Sequence, residues 1–304
     1  MTTQALDRST RATLIGFLAV LLWALLALFT AGTGEVPPFQ LLSLSFGIAF
    51  LVSLAFLLRR GLKGLRVLRQ PPQAWLLGVG GLFGYHFLYF VALKNAPPVE
   101  AGLIAYLWPL LIVLFSALLP GERLRWFHLA GALLGLLGAA LLVTDGGRVS
   151  FQAQYMTGYL AAIACALTWS SYSVTNRRFG AVPTEVVGGF CAVVCLLAAF
   201  CHLLFEKTVA PTPIEWLAIF GLGVGPVGAA FFFWDYGTKH GRIAVLGASS
   251  YMAPLLSTLV LVLAGLAEAS WVVGLAAFLI FGGAVLASKD FLLRLLRGKA
   301  KGAQ

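Results

Sequence analysis

The chain has 304 residues, of which 60% are hydrophobic and 11% charged, with 34 glycines and a net charge of +10. A chain this apolar does not fold as a water-soluble monomer, so an integral membrane protein is expected. Its basic charge needs no nucleic-acid partner, because the membrane itself explains where that charge lies.

Apolar stretches of about 20 residues recur, each long enough at ~1.5 Å per residue to cross a ~30 Å hydrocarbon core. Ten spans are read in order, at 12–33, 38–58, 74–94, 98–119, 126–144, 155–178, 184–205, 214–238, 243–266 and 270–293. The first is too long for a signal-peptide core and has a counterpart in the sixth, where Ser170 follows Trp169 as Ala24 follows Trp23. Ten spans put the N-terminus, the loop with Arg59, Arg60, Lys63, Arg66 and Arg69, and the basic C-terminal tail on one face. The same face takes Arg123 and Arg125, Arg177 and Arg178, and Lys239 and Arg242. Of the 21 basic residues all but Lys94, Arg148 and Lys207 fall there, while the opposite connections carry Glu35, Glu100, Asp145, Glu206, Glu215 and Glu268. Lys and Arg concentrate in cytoplasmic loops, so both termini are expected in the cytoplasm.

The chain also matches itself at an offset of 145 residues without a gap. Gly78 meets Gly223, Gly80 meets Gly225, Phe87 meets Phe232, Lys94 meets Lys239 and Gly102 meets Gly247. Further on, Tyr106 meets Tyr251, Pro109 meets Pro254, Trp126 meets Trp271 and Gly138 meets Gly283. An odd number of spans per copy inserts the two copies in opposite senses, which places Lys94 and Lys239 on opposite faces. The expected architecture is an all-α membrane protein with two inverted five-helix repeats, 1–148 and 149–304, around a central cavity, working by alternating access.

Ionisable groups at membrane depth are costly and usually face a cavity, and this chain has few. Asp235 is the one carboxylate placed inside a span, and its plainest role is a pair with Lys239 four residues on. His86, between Tyr85 and Tyr89, could carry a coupling proton, as could Asp235, but a neutral hydrogen-bonding wall is preferred for His86. With no buried acidic pair or basic cluster, a neutral or zwitterionic solute fits better than a phosphorylated sugar. The candidate lining is therefore aromatic and hydroxylic: Trp23, Tyr85, His86, Tyr89, Tyr106, Trp108, Trp169, Tyr172, Ser250 and Tyr251. Pro109 and Pro254 interrupt the fourth and ninth spans and are expected to offer freed backbone carbonyls to the cavity.

Other patterns carry less. Gly223, Gly225 and Gly228 spell a dinucleotide-binding fingerprint, yet they sit in an apolar span with no strand before them, so helix packing is expected. Gly80 with Gly84, Gly131 with Gly135, and Gly221 with Gly225 read as close-approach pairs. Cys165, Cys191, Cys195 and Cys201 lack metal or redox spacing and read as small core residues. No catalytic motif or phosphate loop appears, so no enzyme, metal or cofactor is expected.

Four signatures then resemble one family. Tyr106-Leu107-Trp108-Pro109, the run from Trp169 to Asn176, Trp234-Asp235-Tyr236-Gly237 with His240-Gly241, and Ser250-Tyr251-Met252-Ala253-Pro254 are similar to the EamA branch of the drug/metabolite transporter superfamily, and within it to aromatic amino-acid exporters. The resemblance implies export of aromatic and other neutral amino acids, or related metabolites, across a bacterial inner membrane. Many members carry an arginine on the second span, where this chain reads Leu44-Ser45-Phe46. A broad exporter of lipophilic cations on the same scaffold is the alternative, and a membrane scaffold or sensor is disfavoured by short loops. A small-molecule substrate and the bilayer are the expected partners, and a monomer suffices because each half partners the other.

Overall fold

The computed structural model describes residues 2–122, 124–147 and 149–290, and all of its regular structure is helical. Arg123, Arg148 and the basic C-terminal tail, expected to flank the spans, lie outside the described residues. The helices are α1 (Thr2–Trp23), α2 (Leu26–Ala31), α3 (Pro38–Leu58), α4 (Pro72–Asn95), α5 (Pro98–Ala105), α6 (Trp108–Ser116) and α7 (Trp126–Thr144). They continue as α8 (Met156–Thr175), α9 (Val187–Phe205), α10 (Pro213–Val224), α11 (Ala230–His240), α12 (Ile243–Ser249), α13 (Met252–Leu263) and α14 (Trp271–Ala287). Proline starts many of them: α3, α4, α5, α6 and α10 each carry one at the first or second position, where no backbone donor is lost. Thr212 and Glu215 form a capping box on α10, and the Ser270 hydroxyl accepts from the Val273 amide to start α14.

Eight helical stretches are long and apolar enough to cross a membrane: Arg8–Ala31, Pro38–Leu58, Pro72–Asn95, Pro98–Ser116, Trp126–Thr144, Thr184–Phe205, Pro213–His240 and Ile243–Leu263. Two further expected spans correspond to α8, diluted by its serines, threonines and tyrosines, and to the 17-residue α14. The outside of the molecule is apolar, with Leu76 at 77%, Phe278 at 75% and Leu263 at 88% exposure, a surface suited to lipid and not to water. The first stretch starts before the expected 12, since nothing in the polar N-terminal residues stops a helix.

Several spans are interrupted. The fourth breaks between α5 and α6 at Tyr106 and Leu107, and the ninth between α12 and α13 at Ser250 and Tyr251, each just before its proline. The first span also breaks, at Ala24 and Leu25, with no proline beside it, and the eighth passes through a π-helical turn over Gly225–Ala229 that contains Pro226. At the break in the fourth span, one carbonyl and one amide are taken up by a side chain of the ninth. The Tyr251 hydroxyl donates to the Tyr106 carbonyl at 3.2 Å and accepts from the Leu110 amide at 3.2 Å. The Ser250 carbonyl likewise accepts from the Ala253 amide at 3.0 Å.

Packing pairs helices across the two halves of the chain: α7 on α14, α4 on α8, α1 on α11, α3 on α9 and α6 on α12. Glycines permit the closest of these. A Cβ at Gly138 would lie 2.6 Å from Ile280 Cγ1 and 2.9 Å from the Ala276 oxygen, and one at Gly283 would lie 2.5 Å from the Gly131 oxygen. Gly78 sits against Phe190 and Gly223 against Ile48 and Ser45, so the fingerprint-like glycines do pack helices. Gly80 is a correction, since nothing lies within 4 Å of its missing Cβ, and Gly78 and Gly81 make the close approaches of α4 instead. Cys165, Cys191 and Cys201 are buried, unbridged core residues, with Cys195 partly buried beside them.

Candidate functional site

Four tryptophans from both halves of the chain meet at the middle of the bundle. Trp23 ends α1, Trp108 opens α6 after the break, Trp169 lies on α8 and Trp234 on α11. Their ring centroids lie 5.1 Å apart for Trp23 and Trp234, 5.9 Å for Trp23 and Trp169, 6.1 Å for Trp23 and Trp108, and 6.1 Å for Trp169 and Trp234. Most of these pairs are edge-to-face or tilted, the arrangements that ring quadrupoles favour. Two indole donors are anchored: Trp23 Nε1 donates to the Pro226 carbonyl at 3.1 Å, in the π-helical turn, and Trp234 Nε1 to Ser173 Oγ at 3.0 Å. The π-turn thus supplies the loosened backbone acceptor that the sequence placed at the prolines.

Around this cluster the expected residues divide into two sets. Trp23, Tyr85, His86, Tyr89 and Tyr106 keep some accessible surface. Tyr85 packs on Trp169 at 5.3 Å, and Tyr85 and Tyr89 stack parallel at 6.2 Å. Trp108, Trp169, Tyr172, Ser250 and Tyr251 are buried. Ser250 Oγ donates to the Leu246 carbonyl and the Tyr251 hydroxyl holds the broken fourth span, so neither polar group points to open space in this conformation.

His86 Nδ1 lies 2.7 Å from the Leu82 carbonyl, which can only accept, so that nitrogen carries the hydrogen. The ring packs edge-on to Phe46 at 5.5 Å and Phe231 at 6.2 Å. Phe46, in the second-span stretch that reads Leu44-Ser45-Phe46, stacks on Phe231 at 5.7 Å.

Trp234 and Phe231 were absent from the candidate lining, although Trp234 is fully buried at its centre and Phe231 packs on Trp23 and Trp169. The internal repeat carries the signal that finds them, because an offset of 145 maps His86 to Phe231 and Tyr89 to Trp234.

Directly beyond Trp234, toward the basic face, lies a buried polar network. Lys239 Nζ donates to Asp235 Oδ2 at 2.9 Å with both side chains at 1% exposure, and to the Val182 carbonyl at 3.0 Å. Asn176 Nδ2 donates to Asp235 Oδ1 at 3.0 Å, and Thr184 Oγ1 to Oδ2 at 2.6 Å. The plain reading of Asp235 as a partner of Lys239 therefore stands. Removing one member of such a pair costs about 3–5 kcal/mol, because the other charge stays buried. Arg177 extends the closure, pairing with Glu122 at 2.9 Å and donating to the Gly241 carbonyl.

The opposite face is tied differently. Glu206, at the end of α9, accepts from the Phe39 and Gln40 amides at 2.9 and 3.0 Å and so caps the start of α3. His202 Nδ1 lies 2.9 Å from the same carboxylate. The Tyr159 hydroxyl donates to Glu100, which is buried in the first turn of α5.

Residues 10–144 and 156–289 each match the model of the EamA-like transporter family. The chain is 59% identical over 278 residues to a protein of Ancylobacter novellus named aromatic amino acid exporter YddG, covering 91% of this chain and 96% of that one. A YddG of the same description from Escherichia coli is 28% identical over 294 residues, again covering 91% and 96%. A probable terminal-alkyne amino-acid exporter of Streptantibioticus cattleyicolor is 24% identical over 245 residues, covering 76% and 81%. A crystal structure at 59% identity superposes with a TM-score of 0.87, covering 92% of this chain and 98% of that one.

Proposed function

This chain belongs to the EamA-like transporter family, and from that premise we propose that it exports aromatic and other neutral amino acids across a bacterial inner membrane by alternating access. Transport, with no chemical conversion and no cofactor, is the whole of its task. The observation that carries the reading is the tryptophan cluster, built from α1, α6, α8 and α11 and bordered by the accessible rings of Tyr85, Tyr89 and Tyr106. Such a surface stacks an aromatic side chain without demanding a fixed charge. A close relative that bears an aromatic amino-acid exporter's name supports the same solute class.

The architecture we infer is ten spans, α8 and α14 completing the eight apolar stretches, in two inverted repeats at 1–148 and 149–304. Two family matches of nearly equal length support it. The helix pairings support it too, because exchanging the halves maps α4 on α8 into α11 on α1, and maps α7 on α14 and α3 on α9 each onto itself. Contacts reciprocate as two-fold packing requires: adding 145 to Gly131 and Gly135, which face Gly283, gives Ala276 and Ile280, which face Gly138. We place both termini in the cytoplasm from the distribution of basic residues. On that orientation the Asp235 network lies toward the cytoplasmic side.

The solute's ring would lie against Trp23, Trp108 and Trp169, with Tyr85, His86, Tyr89 and Tyr106 around its polar end. Tyr172, Ser250 and Tyr251 act behind that layer, and Pro109 and Pro254 set the breaks about which the fourth and ninth spans move. His86 is a neutral wall whose free Nε2 can accept a hydrogen bond, and Asp235 is held in a pair, so movement down a gradient is favoured over obligate proton exchange. Counterflow of radiolabelled amino acids into proteoliposomes tests the function, with Trp108→Ala as control. Uptake of phenylalanine or tryptophan that falls in the variant supports it. Absence of exchange of any amino acid by folded protein refutes it.

A further inference from the structure

We propose that Asp235 and Lys239 determine specificity from the basic face: when that face opens, their charges are taken over by the ammonium and carboxylate of the solute. The proposal rests on the amino-acid reading above.

A zwitterion carries two opposite charges through a route that otherwise offers it rings and hydroxyls. Among the described residues, the buried charged side chains are Glu100, Asp235 and Lys239 with His202, and Glu100 and His202 lie at helix ends on the opposite face. Asp235 and Lys239 alone of these adjoin the tryptophan cluster, through Trp234. Their charged atoms stand 2.9 Å apart, and the other partners are Asn176 at the end of α8, Val182 in the connection after it and Thr184 at the start of the Thr184–Phe205 span.

Opening the basic face separates the end of α8 from the end of α11, and strips those three partners from the pair. A charge left under-bonded away from bulk water resists that motion. An uncharged aromatic solute has nothing to put in place of the lost partners. An amino acid has an ammonium for Asp235 and a carboxylate for Lys239, and a solute shifts a conformational equilibrium only by binding one state better than the other. The pair therefore makes opening easier with a zwitterion bound than with an uncharged aromatic.

The repeat shows that this device is one-sided. The counterparts of Asp235, Lys239 and Thr184 at the offset of 145 are Phe90, Lys94 and Phe39. Phe90 packs edge-on to Phe39 at 5.2 Å, and Lys94 is exposed. The same inter-helix contact is kept at both faces, with a charged hub toward the basic face and two phenyl rings toward the other. Charge recognition thus belongs to the face from which an exporter loads.

The test is trans-acceleration of labelled phenylalanine in proteoliposomes by phenylalanine, phenethylamine, 3-phenylpropanoate and the uncharged 3-phenylpropanamide. In the wild-type protein, phenylalanine should accelerate exchange at least ~10-fold more than the amide, equivalent to one decade of differential binding. The charge analogues should fall between. In the Asp235→Asn, Lys239→Gln double variant, which keeps hydrogen-bonding shape and removes both charges, the ratio should shrink to within about 2-fold. Thr184→Val, which removes one donor and leaves both charges, should keep the wild-type ratio and serves as the decisive variant if the double one does not fold. Equal acceleration by the amide in the wild type, or a full ratio retained in the double variant, or its loss in Thr184→Val, overturns the proposal. Absence of any phenylalanine exchange in the wild type refutes instead the amino-acid reading, and this assignment with it.

Discussion

Two adjacent glycines on α14 are predicted to respond to the same substitution with opposite sign. A Cβ at Gly283 would lie 2.5 Å from the Gly131 oxygen, 3.0 Å from the Gly135 nitrogen and 3.1 Å from the Leu134 Cβ. The first two are backbone atoms and cannot rotate away, so α7 and α14 must part by roughly 1 Å to regain the ~3.5–4.0 Å spacing of non-bonded carbons. That movement loosens Ala132, Ala139, Ile280 and Ala287, which are all fully buried there. Overpacking of this kind costs about 1–3 kcal/mol, and the upper end applies where backbone is the obstacle. At Gly282 nothing lies within 4 Å of the missing Cβ, so alanine meets open space. There it gains up to ~1 kcal/mol of helix propensity. Thermal unfolding of the purified protein in one detergent, followed as loss of the monodisperse species after heating, separates the two. Gly283→Ala should lower Tm by several degrees, and Gly282→Ala should match or exceed the parent. Gly138→Ala should fall between, because one of its obstacles is the Ile280 side chain, which can yield. Equal loss at 282 and 283, or none at 283, refutes the packing argument.

Three further substitutions probe the polar ties. Tyr251→Phe leaves the Tyr106 carbonyl and Leu110 amide without their shared hydroxyl, a cost of about 1–3 kcal/mol for buried groups, and should lower both Tm and counterflow rate. An unchanged rate would show that the hydroxyl does not hold the break in the fourth span. Trp234→Phe keeps a ring in the cluster but orphans the buried Ser173 hydroxyl, so Tm should fall by more than in the Trp234→Phe, Ser173→Ala double variant. Glu206→Gln removes the negative charge at the start of α3, worth about 0.3–1 kcal/mol and up to ~2 kcal/mol where partly buried, so amide exchange over residues 39–42 should quicken. Exchange there equal to the parent's would rule out the charge as a cap.

Much of the fold is legible in the sequence because membranes impose simple rules. Length and hydropathy locate the apolar stretches to within a few residues, and Pro38, Pro72, Pro98 and Pro213 mark where helices begin. The site was partly legible for the same reason, since Trp108 and Trp169 stand out against aliphatic neighbours. What escaped notice depends on backbone conformation. Pro226 with Gly225 and Gly228 marks a place where the helix can be disturbed, but not that it widens into a π-turn or that the Pro226 carbonyl accepts from Trp23. Pro109 and Pro254 stand just after the interruptions of the fourth and ninth spans, but the bond from the Tyr251 hydroxyl to the Tyr106 carbonyl depends on a residue that arrives from a different span. Likewise Gly80 and Gly81 are indistinguishable in sequence, and only the rotation of α4 decides that Gly81 meets Tyr172 while Gly80 faces open space.

The repeat itself is most informative where its copies disagree. Gly78 and Gly223, or Gly138 and Gly283, keep their residue type because each must let a neighbouring helix approach, whichever half supplies it. The lining positions are free of that demand and have diverged: His86 faces Phe231, and Tyr89 corresponds to the buried Trp234. Divergence is greatest at the ends of the same two spans, where Asp235 with Thr184 stands against Phe90 with Phe39. A scaffold with identical halves would seal its two faces with equal strength and have no preferred state. Replacing a ring contact by a buried, fully bonded charge pair at one end only makes the two closures differ in chemistry and in what can release them. Separating ring from ring exposes apolar surface, at a cost near 25 cal/mol per Å², whatever the solute carries. Separating Asp235 from its partners leaves a charge to be bonded again, and on our proposal a zwitterion does that better than an uncharged aromatic.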